Sequence, residues 1–390
     1  MAARLDYASG AFKAEQAESA PIPAFGRTSP VNGGRRGCGL PSSSARRSGK
    51  LRQRKQVSMS VLEGEGAERA RGRAVRAVPV FAALDLGTNN CRLLIASLSR
   101  SGRLRVVDSF SRTVRLGEGL AQTGVLSAAA IARTVSALKV CADRLAHHRP
   151  TRLRAIATEA CRRARNADEL IARARSEAGI DLEIVGSDEE AHLAALGCAA
   201  LVGKRHRGAL VFDIGGGSTE IIWLKRKGAA TVNAFSASVP VGVVTLAENG
   251  DAQSYEKLRG QMRPLFASVR RRMARAGEFK LRTHHLLGTS GTVTTLGAMA
   301  QGLARYDRNK VDASWHRTRR LLEIGDEIAT LDHAGRVARA CIGEERAELM
   351  VPGLAIFAAI CAEWPCADLR VADRGLREGM LREMMAEMDA

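Results

Sequence analysis

Aromatic side chains are scarce in this chain: three Trp, three Tyr and nine Phe among 390 residues. Nucleic-acid clefts interleave aromatics with basic residues so that bases can stack, and the shortage argues against that partner. Long apolar runs are also missing. The longest, Leu349 to Ala362, has 14 residues and is broken by Pro352 and Gly353. A spanning helix needs about 20, so no integral membrane protein is expected. The eight cysteines form no CxxC pair and have no regular spacing. That excludes a disulfide framework or a zinc knuckle and fits buried thiols in a reducing, cytoplasmic compartment. Neither a GK[ST] phosphate loop nor a GxGxxG dinucleotide fingerprint occurs.

Positive charge is abundant. Sixty basic residues face 41 acidic ones, a net charge of +19, and only ten of the basic residues are Lys. Arg presents a planar fork of donors that matches phosphate oxygens, so an anionic ligand is expected. Residues 1–78 hold 15 of the basic residues and six of the acidic ones. This stretch has little apolar periodicity and too little apolar area to offset its ordering entropy, and it reads as a disordered basic extension. Asp6, Glu15 and Glu18 are out of place in a transit peptide, there is no apolar core for a secretory signal, and Met59 offers an alternative start.

Regular structure begins at Val78. The segment Val78-Pro-Val-Phe-Ala-Ala-Leu-Asp85 predicts a buried strand, Gly87-Thr-Asn-Asn90 a tight turn, and Cys91 to Ser97 a returning strand. The pattern recurs about 128 residues on, with strand Ala209 to Asp213, turn Gly215-Gly-Gly-Ser218 and returning strand Thr219 to Lys225. A repeated strand–turn–strand with an aspartate at each strand end is the mark of an internal duplication. The chemistry-bearing turns are then expected on a shared cleft between two α/β halves, residues 79–192 and 193–390, since open α/β sheets bind ligands beyond their strand ends. Helices are expected at Ser127 to His147, Ala167 to Ala178, Ser187 to about Val202, Gln253 to Arg275, Trp315 to Leu331 and Glu345 to Ala362, with a final helix from Arg374.

A glycine turn after a strand aims several backbone N–H groups at one point, with no Cβ in the way. One such turn is an ordinary hairpin; two at matching places suggest phosphate. Asp85 and Asp213 stand where a Mg²⁺ ion shared with substrate phosphates would lie, and Glu220 is near enough to join them. The competing reading is that each aspartate only closes its own turn. Likewise Ser187-x-x-Glu190 reads as a capping box, in which Glu190 merely bonds back to the helix start.

The residues Leu84-Asp-Leu-Gly-Thr-Asn-Asn-Cys-Arg92, Ala155-Ile-Ala-Thr-Glu-Ala-Cys-Arg162, Asp188-Glu-Glu-Ala191, Asp213-Ile-Gly-Gly-Gly-Ser-Thr-Glu220, Leu287-Gly-Thr-Ser-Gly-Thr292 and Glu345-Arg-Ala-Glu-Leu-Met-Val-Pro-Gly353 together resemble the exopolyphosphatase / guanosine pentaphosphate phosphatase (Ppx/GppA) family. The match runs from about residue 79 to the end, and the chain resembles the short, two-domain members. The resemblance implies a duplicated actin-like fold, shared with sugar kinases and the Hsp70 ATPase, with two domains around a central cleft. It implies hydrolysis of the terminal phosphoanhydride of inorganic polyphosphate, with Glu190 as the general base that activates water. The terminal phosphates would be held by Gly87, Thr88, Asn89, Asn90 and Arg92 and by Gly215, Gly216, Gly217, Ser218 and Thr219, and Mg²⁺ by Asp213, Asp85 and Glu220.

Arg162 and Arg163 are candidates for an anion channel or for a solvated face. Gly288-Thr-Ser-Gly291 is similar to the segment that meets the nucleoside in kinases of this fold. His192 stands where the family usually has Arg; if that arginine helps hold the substrate chain, substrate affinity or pH dependence is expected to differ, while the chemistry is expected to survive. Guanosine pentaphosphate is the alternative substrate, and a sensor that binds polyphosphate or alarmone without turnover is the non-enzymatic alternative. The family also suggests a homodimer.

Overall fold

Strand β1 (Val80–Leu86) is apolar on both faces apart from its ends, the pattern of a strand covered from two sides. Its neighbours complete a five-stranded sheet in the order β3-β2-β1-β4-β5, with β2 at Asn90–Leu98, β3 at Leu104–Thr113, β4 at Arg152–Ala157 and β5 at Glu183–Ile184. The computed structural model describes residues 78–99, 104–228, 230–248 and 254–388, all within one compact unit that spans Arg73–Ala390. Apart from Val78, the basic extension read at 1–78 lies outside the described residues.

The second sheet repeats the first. Its order is β10-β11-β9-β6-β7-β8, with β6 at Gly208–Ile214, β7 at Thr219–Lys227, β8 at Ala230–Val239, β9 at His284–Thr289, β10 at Trp315–Arg317 and β11 at Asp368–Ala372. In each half an antiparallel meander of three strands is followed by a parallel partner beside the first strand, β4 beside β1 and β9 beside β6. The registers correspond: Asp85 pairs with Arg92 and Asp213 with Glu220. This is the pair of α/β halves expected from the duplicated pattern, and it matches the actin-like fold that the resemblance implied.

Four apolar clusters fill the spaces around the sheets. One lies under the helices Ala128–His148 and Ala167–Ala178 on the first sheet. The largest joins β6, β7 and β9 to the helices Tyr255–Arg275 and Glu344–Glu363. Between the sheets runs the helix Ser187–Cys198. Its Leu193 packs among β1, β2 and the last helix, while Ala191, Ala194, Ala195 and Cys198 pack against β6, β7 and β9. Burying each large aliphatic side chain is worth about 1.5–3 kcal/mol. This helix is therefore tied to both halves, and its first turn is held at the floor of the cleft.

The sequence division at 192/193 falls inside that helix. The last helix, Leu376–Ala386, crosses back to the first sheet, where Leu376, Met380 and Leu381 bury against Phe81, Ala83 and Leu94. Gly197 and Gly379 permit the crossing, since a Cβ at either would run into the other segment's backbone.

Several elements differ from the sequence expectation, short helices such as Glu159–Arg163 and the helix Gly291–Ala300 among them. The helix predicted from Trp315 begins only at Thr318, because Trp315–Arg317 pairs antiparallel with β11 and the Thr318 amide donates to the Ala367 carbonyl at 3.0 Å. Strands β8 and β9 were not foreseen, the latter because Leu287 to Thr292 reads locally as a turn. Seven described cysteines are free thiols, all but Cys341 of them buried. Among the described residues no helix is long and apolar enough to cross a membrane.

Candidate functional site

The two glycine turns meet across the cleft. Hydrogen bonds fix each turn through its carbonyls. In the first, Gly87 N–H donates to Asn90 O at 2.9 Å, Val114 N–H to Asn89 O at 2.8 Å and Gly117 N–H to Thr88 O at 2.9 Å. In the second, Gly215 N–H donates to Ser218 O at 2.9 Å, Val243 N–H to Gly215 O at 3.0 Å and Val244 N–H to Gly216 O at 2.8 Å. The amides of Thr88, Asn89, Gly216 and Gly217 donate to no described residue. Carbonyls tied back and N–H groups left facing a cavity make an anion cradle. The glycines are sterically required where the turns touch: a Cβ on Gly216 would stand 3.2 Å from the Asn89 nitrogen, and one on Gly217 2.8 Å from Thr88 Oγ1.

The cradle opens into a cavity of about 370 Å³. Of the residues expected at the site, Gly87, Thr88, Asn89, Asn90 and Arg92 line it from the first half, and Gly215, Gly216, Gly217 and Ser218 from the second. Asp85, Glu190, Asp213 and Glu220 line it as well. Thr219 is the exception and corrects the expectation. It is fully buried, its hydroxyl donates to Val241 O at 2.7 Å, and it does not reach the cavity. Strand alternation turns Thr219 into the sheet while its neighbours Ser218 and Glu220 face the cleft.

The carboxylates of Asp85 and Asp213 make no hydrogen bond or ion pair with a described residue, so they do not close their own turns. Burial raises the carboxyl pKa of both, that of Asp213 to about 6, against the lowering pull of Arg92. Glu220 is buried, and its Oε1 accepts from the hydroxyls of Ser218 at 2.7 Å and Ser238 at 2.9 Å. Burial, with the charges of Glu190 and Asp213, holds it well above the ordinary carboxylate range. No group of three or more His, Cys, Asp and Glu among the described residues is arranged to hold a metal by itself.

Glu190 sits in the first turn of the helix Ser187–Cys198, but no capping box forms. The N-cap is Gly186, and Ser187 is already helical. The Glu190 side chain is free to turn into the cleft, where its Oε2 accepts from Arg162 Nη1 at 2.8 Å. Burial raises its pKa to about 7, outweighing the attraction of Arg162, and the charges of Asp85 and Asp213 add to the rise.

Arg162 contacts this carboxylate and that of Glu159 rather than lining the cavity, and Arg163 is exposed. His192 does not face the cavity. Its Nε2 lies 3.7 Å from Glu383, in a surface network that includes Arg154. In the Gly288–Gly291 segment, Ser290 caps the helix Gly291–Ala300 by accepting from the Val293 amide, and Ser290 and Gly291 line the cavity.

Sequence reasoning missed the second lobe of the cleft, about 260 Å³, which shares Asp85, Arg92 and Asp213 with the first. Arg308, Arg346, Arg374 and Arg377 line it. Arg374 pairs with Asp312, and Arg308 with Glu378 at 2.6 Å. Arg92 and Arg377 have no such partner among the described residues. The signal was present in Arg346 within the quoted Glu345-Arg-Ala segment and in the run Gly375-Leu-Arg-Glu-Gly379, but only folding gathers these residues beside Asp85.

The model of the Ppx/GppA phosphatase family matches residues 94–388. An exopolyphosphatase 2 of Mycobacterium tuberculosis is 31% identical over 300 residues, which cover 72% of this chain and 90% of that protein. The crystal structure of the Aquifex aeolicus member of the Ppx/GppA family superposes with a TM-score of 0.67 at 27% identity, covering 80% of this chain and 99% of that one. A Cytophaga hutchinsonii exopolyphosphatase shares the fold with a TM-score of 0.71 at 23% identity, over 79% of this chain and 98% of its own. The chain therefore belongs to the Ppx/GppA phosphatase family, with the actin-like ATPase fold, and it is a phosphatase.

Proposed function

We propose that this phosphatase is an exopolyphosphatase, which hydrolyses the terminal phosphoanhydride of inorganic polyphosphate and releases orthophosphate. The observation that carries the reading is the pair of turns whose residues, with amides that bond to no described residue, line one cavity beside the unbonded Glu190 Oε1. The terminal phosphate rests on the amides of Thr88, Asn89, Gly216 and Gly217, and the arginine-lined second lobe takes the phosphates behind it. A lobe with several guanidinium groups suits a chain of repeated negative charge. The name of the mycobacterial relative supports the same substrate.

In this reading Glu190 orients a water in line with the terminal phosphorus. The water oxygen forms the new P–O bond, its proton passes to Glu190 Oε1, and the bridging P–O bond breaks, leaving the chain one phosphate shorter. Asp85 and Asp213 are buried carboxylates in no ion pair with a described residue, and the pull of Arg92 does not offset the cost of their burial, which a cation relieves. They fit Mg²⁺, which is usually held by one or two carboxylates with phosphates and waters completing its shell. Glu220, with one oxygen already taken by two hydroxyls, would hold it through the other or through water. The ion, when bound, neutralises charge on the phosphoryl oxygens.

The test is phosphate release by the purified protein with Mg²⁺, from long-chain polyphosphate and guanosine pentaphosphate in parallel. The reading expects rapid release from polyphosphate that Glu190→Gln removes. Release from the nucleotide alone, parent activity in a folded Glu190→Gln, or binding of both substrates without release would each overturn it.

A further inference from the structure

Glu159 opens the short helix Glu159–Arg163 and lies against the second turn. Its Cγ is 3.0 Å from where a Cβ on Gly217 would stand, and it lines the main cavity. Its Oε2 accepts from both Nε (3.2 Å) and Nη2 (2.7 Å) of Arg162. The other end of the same guanidinium is also committed: Nη1 donates to Val185 O at 2.9 Å and to Glu190 Oε2 at 2.8 Å. Side-chain exposures of 17% for Arg162 and 14% for each carboxylate place the triad largely out of water, where such bonds hold their geometry. One fork-shaped cation is thus divided between two carboxylates, and Glu190 Oε1 is left without a donor among the described residues.

We infer that Glu159 is a positioning residue: by holding the Nε–Nη2 edge of Arg162, it limits Glu190 to a single hydrogen bond from that arginine and keeps one Glu190 oxygen free for the attacking water. The inference rests on Glu190 being the base. An arginine released from Glu159 can turn its paired donors onto Glu190 and engage both oxygens in the fork-to-fork arrangement that guanidinium and carboxylate favour. Such a Glu190 still folds and still faces the substrate, but it has no oxygen left to receive a proton. Because Glu159 leans on Gly217, the second half's turn also fixes the register of the first half's base.

The test measures kcat and KM for polyphosphate hydrolysis with Mg²⁺ by the full chain, in Glu159→Gln, Arg162→Lys, the double variant and Glu190→Gln. Glu159→Gln is expected to lower kcat about tenfold with KM held within about twofold, a fraction of what a general base contributes. Lysine has no second edge for Glu159 to hold, so adding Glu159→Gln to Arg162→Lys should change kcat by less than about twofold. Parent kcat in Glu159→Gln, independent losses that multiply in the double variant, or a raised KM at unchanged kcat would each overturn the role. Should Glu159→Gln fail to fold, Glu159→Asp decides: it keeps the charge but shortens the reach, so lost kcat at constant KM supports the role and parent kcat overturns it. Glu190→Gln separates the two claims. Parent activity there removes the base itself, whereas an inactive Glu190→Gln beside a fully active Glu159→Gln removes only the positioning role.

Discussion

The two halves of the cleft are built on one plan and charged in opposite ways. Asp85 and Asp213 end equivalent strands, and in each half the residue paired with that aspartate in the returning strand faces the cavity. In the first half that residue is Arg92 and in the second it is Glu220. The duplicated backbone supplies the same turn twice, while the side chains differ: under the proposed function the Arg92 side would attract phosphate oxygens and the Glu220 side a cation. Packing differs too. A Cβ on Gly87 would meet only the Asn90 carbonyl at 3.6 Å, an ordinary contact, whereas one on Gly217 would press on Thr88 and Glu159 at 2.8 and 3.0 Å. The first turn has room, and the second is the tight face of the contact.

The largest effect expected is at the group both halves surround. Glu190→Gln should cut phosphate release about 10²–10⁴-fold. In the parent, with its pKa raised to about 7, activity measured at limiting substrate should climb through neutral pH as the base ionises, and Mg²⁺, by adding positive charge, should move that limb lower. The same shift acts on stability with the opposite sense. The unfolded chain loses this proton near the ordinary value of 4.5, so raising the pH from there towards 7 progressively destabilises the folded state. Glu190→Gln removes that term, and its Tm advantage over the parent should grow between pH 5 and pH 8; a constant difference would contradict the raised pKa.

Next come the turns. Gly217→Ala should lose activity and about 1–3 kcal/mol of stability through overpacking, while Gly87→Ala should keep phosphate release within about threefold, since only ordinary contact is added. Equal losses would break the distinction between a roomy and a tight turn. Arg92→Ala and Glu220→Gln test the division of charge. The first should raise KM about tenfold, as expected for one charge-assisted contact of about 1.5–3 kcal/mol, without altering the Mg²⁺ requirement. The second should shift the Mg²⁺ titration to higher concentration with a smaller change in KM. The smallest effect is expected at Thr219, which points away from the cavity. Thr219→Val should cost about 1 kcal/mol, the worth of one hydrogen bond, with phosphate release close to the parent rate.

Much of the site could be read locally because its chemistry is local. A glycine turn after an apolar strand has few conformations, and the aspartate before it must stand at the strand end, so Asp85, Asp213 and both turns were legible. Thr219 was misread because it was counted with the turn, although it is the first residue of the strand expected there, and consecutive residues of a strand point to opposite faces. Strand β9 was hidden because its last residues, Leu287 to Thr289, also suit a turn, and β10 because Trp315–Arg317 runs straight into a helix. The Glu190 ambiguity could not be settled in sequence either. Whether Ser187 caps the helix or lies inside it depends on where the chain enters from β5, and that entry put Gly186 at the cap.

The sequence by itself determined the duplicated frame, the two cradles, the carboxylates and the family, because strand periodicity, glycine and short motifs act over a few residues. Tertiary structure alone decided what faces what. It set Glu159 between Gly217 and Arg162, gathered Asp85, Asp213, Arg92 and Arg377 on one lobe with no ion-pair partner among the described residues, and turned His192 away towards Glu383. Those relations join residues up to hundreds of positions apart, and they are fixed by the burial of the helices Ser187–Cys198 and Leu376–Ala386 between and across the two sheets. Apolar packing is non-directional along the chain, so which distant polar groups it brings together is settled only when the whole core closes.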